Sequence, residues 1–188
     1  MTAHGGLDFQ AELVRILPNL RAFARSLSGN PDRADDLVQE AVTKAWRHRD
    51  SFIAGTNLKA WLFTILRNVY LSELRKRKRE VEDKDGSMAE RLSVNGEQSG
   101  HMDMMDFMAA LRELPTDQRE ALLLVGAEGY AYEEAALMCG CAVGTIKSRV
   151  SRARSRLAEL LGVDSVADFG DASASSMGTR IETSSDSF

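Results

Sequence analysis

The sequence predicts an all-α protein organised as two helical modules. Three observations lead to that class. Apolar residues recur every three or four positions through residues 7–80 and again through 108–161, the period of an amphipathic helix. Only three prolines interrupt the 188 residues, and β-branched runs are scarce. Residues 81–107 and 162–188 combine acids with Gly, Ser and Asn and hold no sustained period, so they read as a flexible acidic linker and a disordered Ser-rich tail.

The elements follow in order. From Leu7 to Leu27, the residues Leu13, Ile16, Leu17, Leu20, Phe23, Ala24 and Leu27 form one stripe at helical spacing. Ser28-Gly29-Asn30-Pro31 ends that helix and opens the next, with Asn30 as a cap and Pro31 at the first helical position, where a missing N–H costs nothing. The second helix is expected to bury Leu37, Val38, Ala41, Val42, Ala45 and Trp46. Its other face shows Asp36, Gln39, Glu40 and Thr43, which the helix pattern alone reads as a solvated face, with a docking strip for a basic partner helix as the sharper alternative. After the loop from Asp50 to Asn57, a long helix carries the stripe Leu58, Trp61, Leu62, Ile65, Leu66 and Val69 and runs into Arg75-Lys76-Arg77-Lys78-Arg79. Some of these cations suit a helix C-terminus, but five in a row repel one another and favour an anionic ligand. Lys59, Phe63, Arg67, Asn68 and Tyr70 are expected outside the stripe, a mixture of cations, aromatics and amide suited to unpaired bases and phosphates.

In the second module, Leu111 to Pro115 ends one short turn, and Thr116 is expected to cap a helix through Arg119, Leu122 and Leu124. The stretch from Tyr132 to Arg149 follows. Ala136 stands four residues before Gly140, and Ile146 six after it. That spacing fits a helix-turn-helix, in which Ala permits close crossing, Gly supplies a left-handed turn and Ile pins the second helix. From Ala142 to Ala158 there are five cations and no acid. Lys147, Ser148, Ser151 and Arg152 can then face a major groove while Arg149, Arg154 and Arg156 reach phosphates. Cys139 and Cys141 read as small turn residues, since His4, His48 and His101 have no ligand spacing to them and zinc needs four ligands. Met102, Met104, Met105 and Met108 are expected to pack softly at the module's entrance.

The net charge of −4 hides a sharp asymmetry. The two irregular segments hold twelve acids against three bases, which leaves the patterned blocks at +5. Clustering matters more than the sum, because attraction to phosphate is screened beyond roughly 8–10 Å. No apolar run approaches the ~18–20 residues of a membrane span, so no membrane role is expected. Met1 to Asp8 shows no export signal, and two cysteines cannot staple a scaffold. A cytoplasmic protein, nucleoid-associated when active, is the expectation. Neither a metal nor any other cofactor is expected. Nothing resembles a P-loop or a nucleophile–base pair, so an enzyme is not expected either.

These residues also resemble a family. "DDLVQEAVTKAW" is similar to sigma region 2.2, "LKAWLFTILRNVYLSELRKRKR" to regions 2.3–2.4, and "LRELPTDQREALLL" with "GYAYEEAALMCGCAVGTIKSRVSRARSRL" to region 4. The ordered set resembles the bacterial extracytoplasmic-function (ECF) sigma factors, two-module subunits of RNA polymerase, and most of all the alphaproteobacterial EcfG-type general-stress group. The resemblance implies that Asp36, Gln39 and Glu40 dock on the β′ clamp helices of core RNA polymerase, with the β subunit also a partner. It implies that the Phe52–Asn57 loop, with Asn57, Lys59, Arg67 and Asn68, captures unstacked −10 bases of promoter DNA while Arg75, Lys76 and the following cations hold the backbone. It implies that Lys147, Ser148 and Arg152 read a GGAAC-like −35 element positioned by Arg119, Tyr132, Glu133 and Arg149. The linker would thread near the RNA exit path. A small helical anti-sigma factor (NepR-like), antagonised by a response regulator with a sigma-like domain (PhyR-like), would hold such a protein inactive. The tail after Leu161 exceeds the minimal family architecture. Two rivals remain: a sigma mimic that sequesters the anti-sigma factor, for which residues after 161 leave no room for a receiver domain, and a helix-turn-helix repressor, which the first module argues against.

Overall fold

Phe9–Ser28 forms α1, and its buried residues Leu13, Ile16, Leu20, Phe23, Ala24 and Leu27 are the stripe that the sequence displays. The computed structural model describes residues 9–82 and 104–163, and within them every regular element is helical. The linker and tail expectations fall largely outside these residues. Asn30 caps α2 (Pro31–Arg47) as expected, its Oδ1 accepting from the Arg33 N–H at 3.0 Å. A short turn at Arg49–Ser51 and the loop to Asn57 lead into α3 (Leu58–Glu82), about 37 Å long at 1.5 Å per residue. These three helices pack pairwise into the first module.

The second module begins earlier than expected, with α4 at Met104–Glu113. Next come α5 (Thr116–Leu122), which continues as a π-helical turn over Leu123–Ala127, then α6 (Tyr132–Cys139) and α7 (Val143–Leu161). Thr116 is the first helical residue of α5 and makes no side-chain cap. α7 is the spine, with Ile146, Val150, Ala153 and Leu157 buried against α4, α5 and α6.

The modules are docked. α4 and α5 lie on α1, α6 lies on α3, and the buried residues form a single cluster across both. Several side chains depart from the sequence reading. Phe63 and Tyr70, expected at the surface, are 0% and 4% exposed, because α3 is covered on two sides rather than one. Phe63 lies between Phe23, at 4.8 Å, and Tyr130 of the second module, at 6.1 Å, and the Tyr70 hydroxyl donates to the Leu27 carbonyl at 3.0 Å. Trp46, expected in the core, is 45% exposed at the end of α2, beside Phe9 and under the Arg49 guanidinium. Met104 and Met105 are also exposed rather than packed, while Met108 is half-buried.

Candidate nucleic-acid interface

α6, the turn and α7 form the helix-turn-helix that the spacing implies. Gly140 takes φ +63° and closes α6, with the Cys141 N–H donating to the Ala136 carbonyl and the Gly140 N–H to that of Leu137. Such a pairing needs a left-handed residue, and glycine adopts it without a Cβ penalty. Ala136 is 4% exposed where the helices cross, and Ile146 is fully buried. Of the proposed −35 residues, Lys147, Arg152 and Glu133 are exposed. Lys147 Nζ sits 5.7 Å from the centroid of the half-buried Tyr132 ring, which orients the ammonium. Ser148 donates to the Thr145 carbonyl at 2.9 Å. Arg149 is held at 3.0 Å by Asp117 of α5 and donates to Cys141 Sγ at 3.8 Å. Burial, and then Glu120, push the Cys139 thiol up to about 12, so it is an unionised core group. Among the described residues no cluster of His, Cys, Asp or Glu could hold a metal.

The face of α3 is assembled differently from its reading as an open strip. Asn57 caps the helix, its Oδ1 accepting from the Ala60 N–H at 3.0 Å. Lys59 Nζ pairs at 2.8 Å with Glu128, which follows the π-helical turn, and Arg67 pairs with Glu120 of α5. Asn68 stays exposed beside Arg67. Arg75 folds back on the Leu71 carbonyl and Ser72, and Lys76 reaches Glu80 at 3.8 Å, all exposed. The α2 strip of Asp36, Gln39 and Glu40 is exposed as well, with Lys44 at 2.8 Å from Glu40 one turn on.

Arg119 departs furthest from its expected role at promoter DNA. It is 8% exposed and donates to the Leu27 carbonyl at 2.6 Å, to that of Arg112 at 2.7 Å and to that of Leu114 at 2.9 Å. One guanidinium thus satisfies the carbonyls left open at the C-terminal ends of two helices, α1 in one module and α4 in the other. Its neighbour Glu120 is 2% exposed; burial raises its carboxyl above the ordinary range, and Arg67 pulls the other way. The sequence reading passed over Glu120, Glu128, Asp117 and Tyr130. Glu120 carried a signal, an acid directly before the apolar run Ala121 to Leu124.

The Sigma-70 region 2 family model matches residues 13–80 and the Sigma-70 region 4 model residues 104–157. The ECF RNA polymerase sigma factor EcfG of Rhodopseudomonas palustris (strain TIE-1) is 61% identical over 159 residues, 85% of this chain and 88% of that one. The chain belongs to the ECF sigma factors. It is therefore a polymerase subunit for promoter-specific initiation and not an enzyme, as the motifs implied. Sigma factors act in the cytoplasm, and among the described residues no helix is long and apolar enough to cross a membrane. The sigma factor RpoE of Bartonella quintana, solved with the anti-sigma factor NepR, has a TM-score of 0.74 at 59% identity, covering 84% of this chain and 98% of that one. The PhyRSL–NepR complex from Sphingomonas sp. Fr1 has a TM-score of 0.62 at 18% identity, covering 82% and 90%, and shares the fold.

Proposed function

We propose that this ECF sigma factor serves a general-stress regulon and is held inactive by a small helical anti-sigma factor of the NepR kind, released by a response regulator with a sigma-like domain. The similarity to EcfG and to the NepR-bound sigma factor supports that reading. When active, it joins the polymerase on the nucleoid. Asp36, Gln39 and Glu40 meet the β′ clamp helices, and their exposure on the outer side of α2 is the observation that carries the docking role. Lys147, Ser148 and Arg152 read the −35 duplex, with Tyr132, Glu133 and Arg149 positioning them. Arg119 reaches DNA only after the modules part, since both terminal nitrogens of its guanidinium are bonded to carbonyls inside the molecule. Asn57, Lys59, Arg67 and Asn68 take the −10 strand, and Arg75 and Lys76 follow its backbone. The sigma-mimic reading has no support in the exposed basic face of α7, which a decoy for an inhibitor does not need.

The deciding experiment combines core polymerase binding with transcription in vitro. Asp36→Ala with Glu40→Ala should weaken core binding by about 2–5 kcal/mol, the usual cost of truncating one side of an interfacial charge pair. Helicity by circular dichroism should be unchanged. Unaltered affinity removes the docking assignment, and failure of the wild-type chain to start synthesis with core polymerase removes the transcriptional one.

A further inference from the structure

Four aromatic rings from four segments meet beside the Phe52–Asn57 loop. Phe9 opens α1, Trp46 lies at the end of α2, Phe52 begins the loop and Trp61 stands in the first turn of α3. Phe9 meets the other three, with ring centroids 6.1 Å from Trp46, 6.5 Å from Phe52 and 6.3 Å from Trp61. Phe52 and Trp61 are 5.5 Å apart. Each pair is tilted or edge-on, the arrangements that aromatic quadrupoles favour. The loop is also held at both ends. The Phe52 N–H donates to the Arg49 carbonyl at 3.1 Å and the Ser51 hydroxyl to that of His48 at 2.6 Å, while Asn57 caps α3 at the far end. Between these anchors the Thr56 N–H and hydroxyl donate to the Ile53 carbonyl, at 3.1 and 2.7 Å, and the Ile53 side chain is 72% exposed.

We infer that Phe9 is a positioning residue for single-strand capture: its ring completes the cluster that fixes Phe52, and through Phe52 it holds the loop in the shape that takes an unstacked base. This inference rests on the assignment of the Phe52–Asn57 loop to the −10 strand. The hydrogen bonds above all run within residues 48–60, so they set the local shape of the loop and no more. The ring cluster ties that shape to the start of α1, a distant part of the chain. Such a tie matters for recognition. Walls that receive a base must stand in place before it arrives, because every loop residue ordered on binding subtracts from affinity. Phe9 is half-buried and precedes the buried stripe of α1 that begins at Leu13. Its ring can therefore be removed with the stripe intact, so its effect falls on the loop.

The test uses holoenzyme assembled from the full-length chain and core polymerase. The probe is a pool of single strands of about 12 nucleotides, within the usual site size, randomised at every position. Sequencing of the bound strands reads base preference, and fluorescence anisotropy reads affinity for the strands that the wild type selects. Phe9→Ala should weaken that affinity about ten-fold, as expected when one further backbone residue must be ordered on binding, and should flatten the base preference. Phe9→Tyr keeps the ring and should restore both. Phe9→Leu, which keeps apolar bulk without a flat ring, replaces the alanine variant should that one fail to fold. Ile53→Ser, at the exposed part of the loop, tests the underlying assignment separately. A flattened preference in Ile53→Ser with an unchanged one in Phe9→Ala overturns the positioning role and leaves the loop on the −10 strand. An unchanged preference in both removes the loop from the strand, and the inference falls with it. A loss of core binding in Phe9→Ala that matches its loss of strand affinity, with base preference kept, reduces Phe9 to packing and also rejects the inference.

Discussion

Cys139 shows how burial sets chemistry at a single residue. Its thiol sits 7% exposed behind the helix-turn-helix, next to Glu120, and both its burial and that carboxylate oppose ionisation. The folded thiol is pushed from 9.0 up to about 12. The folded form thus holds the proton more firmly than the unfolded chain. Its contribution to stability is complete below the ordinary thiol value and disappears as pH rises toward the folded value. Cys139→Ser should therefore flatten the alkaline side of the stability curve between pH 9.0 and about 12. Urea denaturation across that range checks it, and a parallel loss in both proteins would mean that the thiol is not responsible. At neutral pH, iodoacetamide should modify the half-buried Cys141 and leave Cys139 untouched in the folded protein, because the thiolate is the nucleophile.

Turns between elements offer a comparison of two glycines with similar backbones. Gly29 joins α1 to α2 at φ +67°, and Gly140 joins α6 to α7 at φ +63°. A Cβ at Gly140 would meet nothing within 4 Å, whereas one at Gly29 would come within 2.5 Å of Arg112 Cδ from the second module. Gly140→Ala should accordingly cost only the left-handed conformation, about 1–2 kcal/mol. Gly29→Ala carries the same strain and must also displace Arg112, which reaches back toward the Gly29 carbonyl at 3.5 Å. The expected outcome is a larger loss of thermal stability for Gly29→Ala than for Gly140→Ala, and a larger radius in solution only for Gly29→Ala. Equal scattering curves for the two variants would show that Arg112 yields freely and contributes nothing to docking.

For the whole molecule, cooperativity passes through Arg119. Its guanidinium serves the end of α1 and the end of α4 at once, so its loss strands the Arg112 and Leu114 carbonyls of the second module and leaves the Leu27 carbonyl of the first to Tyr70 alone. Each buried polar group left unsatisfied costs about 1–3 kcal/mol. Arg119→Leu should lower stability by at least that amount and turn a single calorimetric transition into two, as the modules melt separately. A single transition at the wild-type temperature would locate the coupling elsewhere, in the Phe63–Tyr130 contact or the α3 ion pairs.

The sequence by itself determined the helices, the capped turn at Asn30–Pro31, the helix-turn-helix around Gly140 and the membership in two sigma regions. All of these rest on spacings of a few residues, and local periodicity, caps and left-handed glycines are written in that range. It also exposed the α2 strip and the basic face of α7, since an amphipathic helix with one partner leaves its other side in water. What only the tertiary structure decided is which faces acquire a second partner. Phe63, Tyr70 and Arg67 lie on the side of α3 that a single buried stripe assigns to solvent; Phe63 and Arg67 are covered because Tyr130 and Glu120 return to them from more than 50 residues away, and Tyr70 because the end of α1 and Arg33 of α2 close over it. Arg119, expected at promoter DNA, is buried for the same reason. A cation's partner depends on what the fold brings beside it, and no local pattern records that two helix ends converge on one guanidinium.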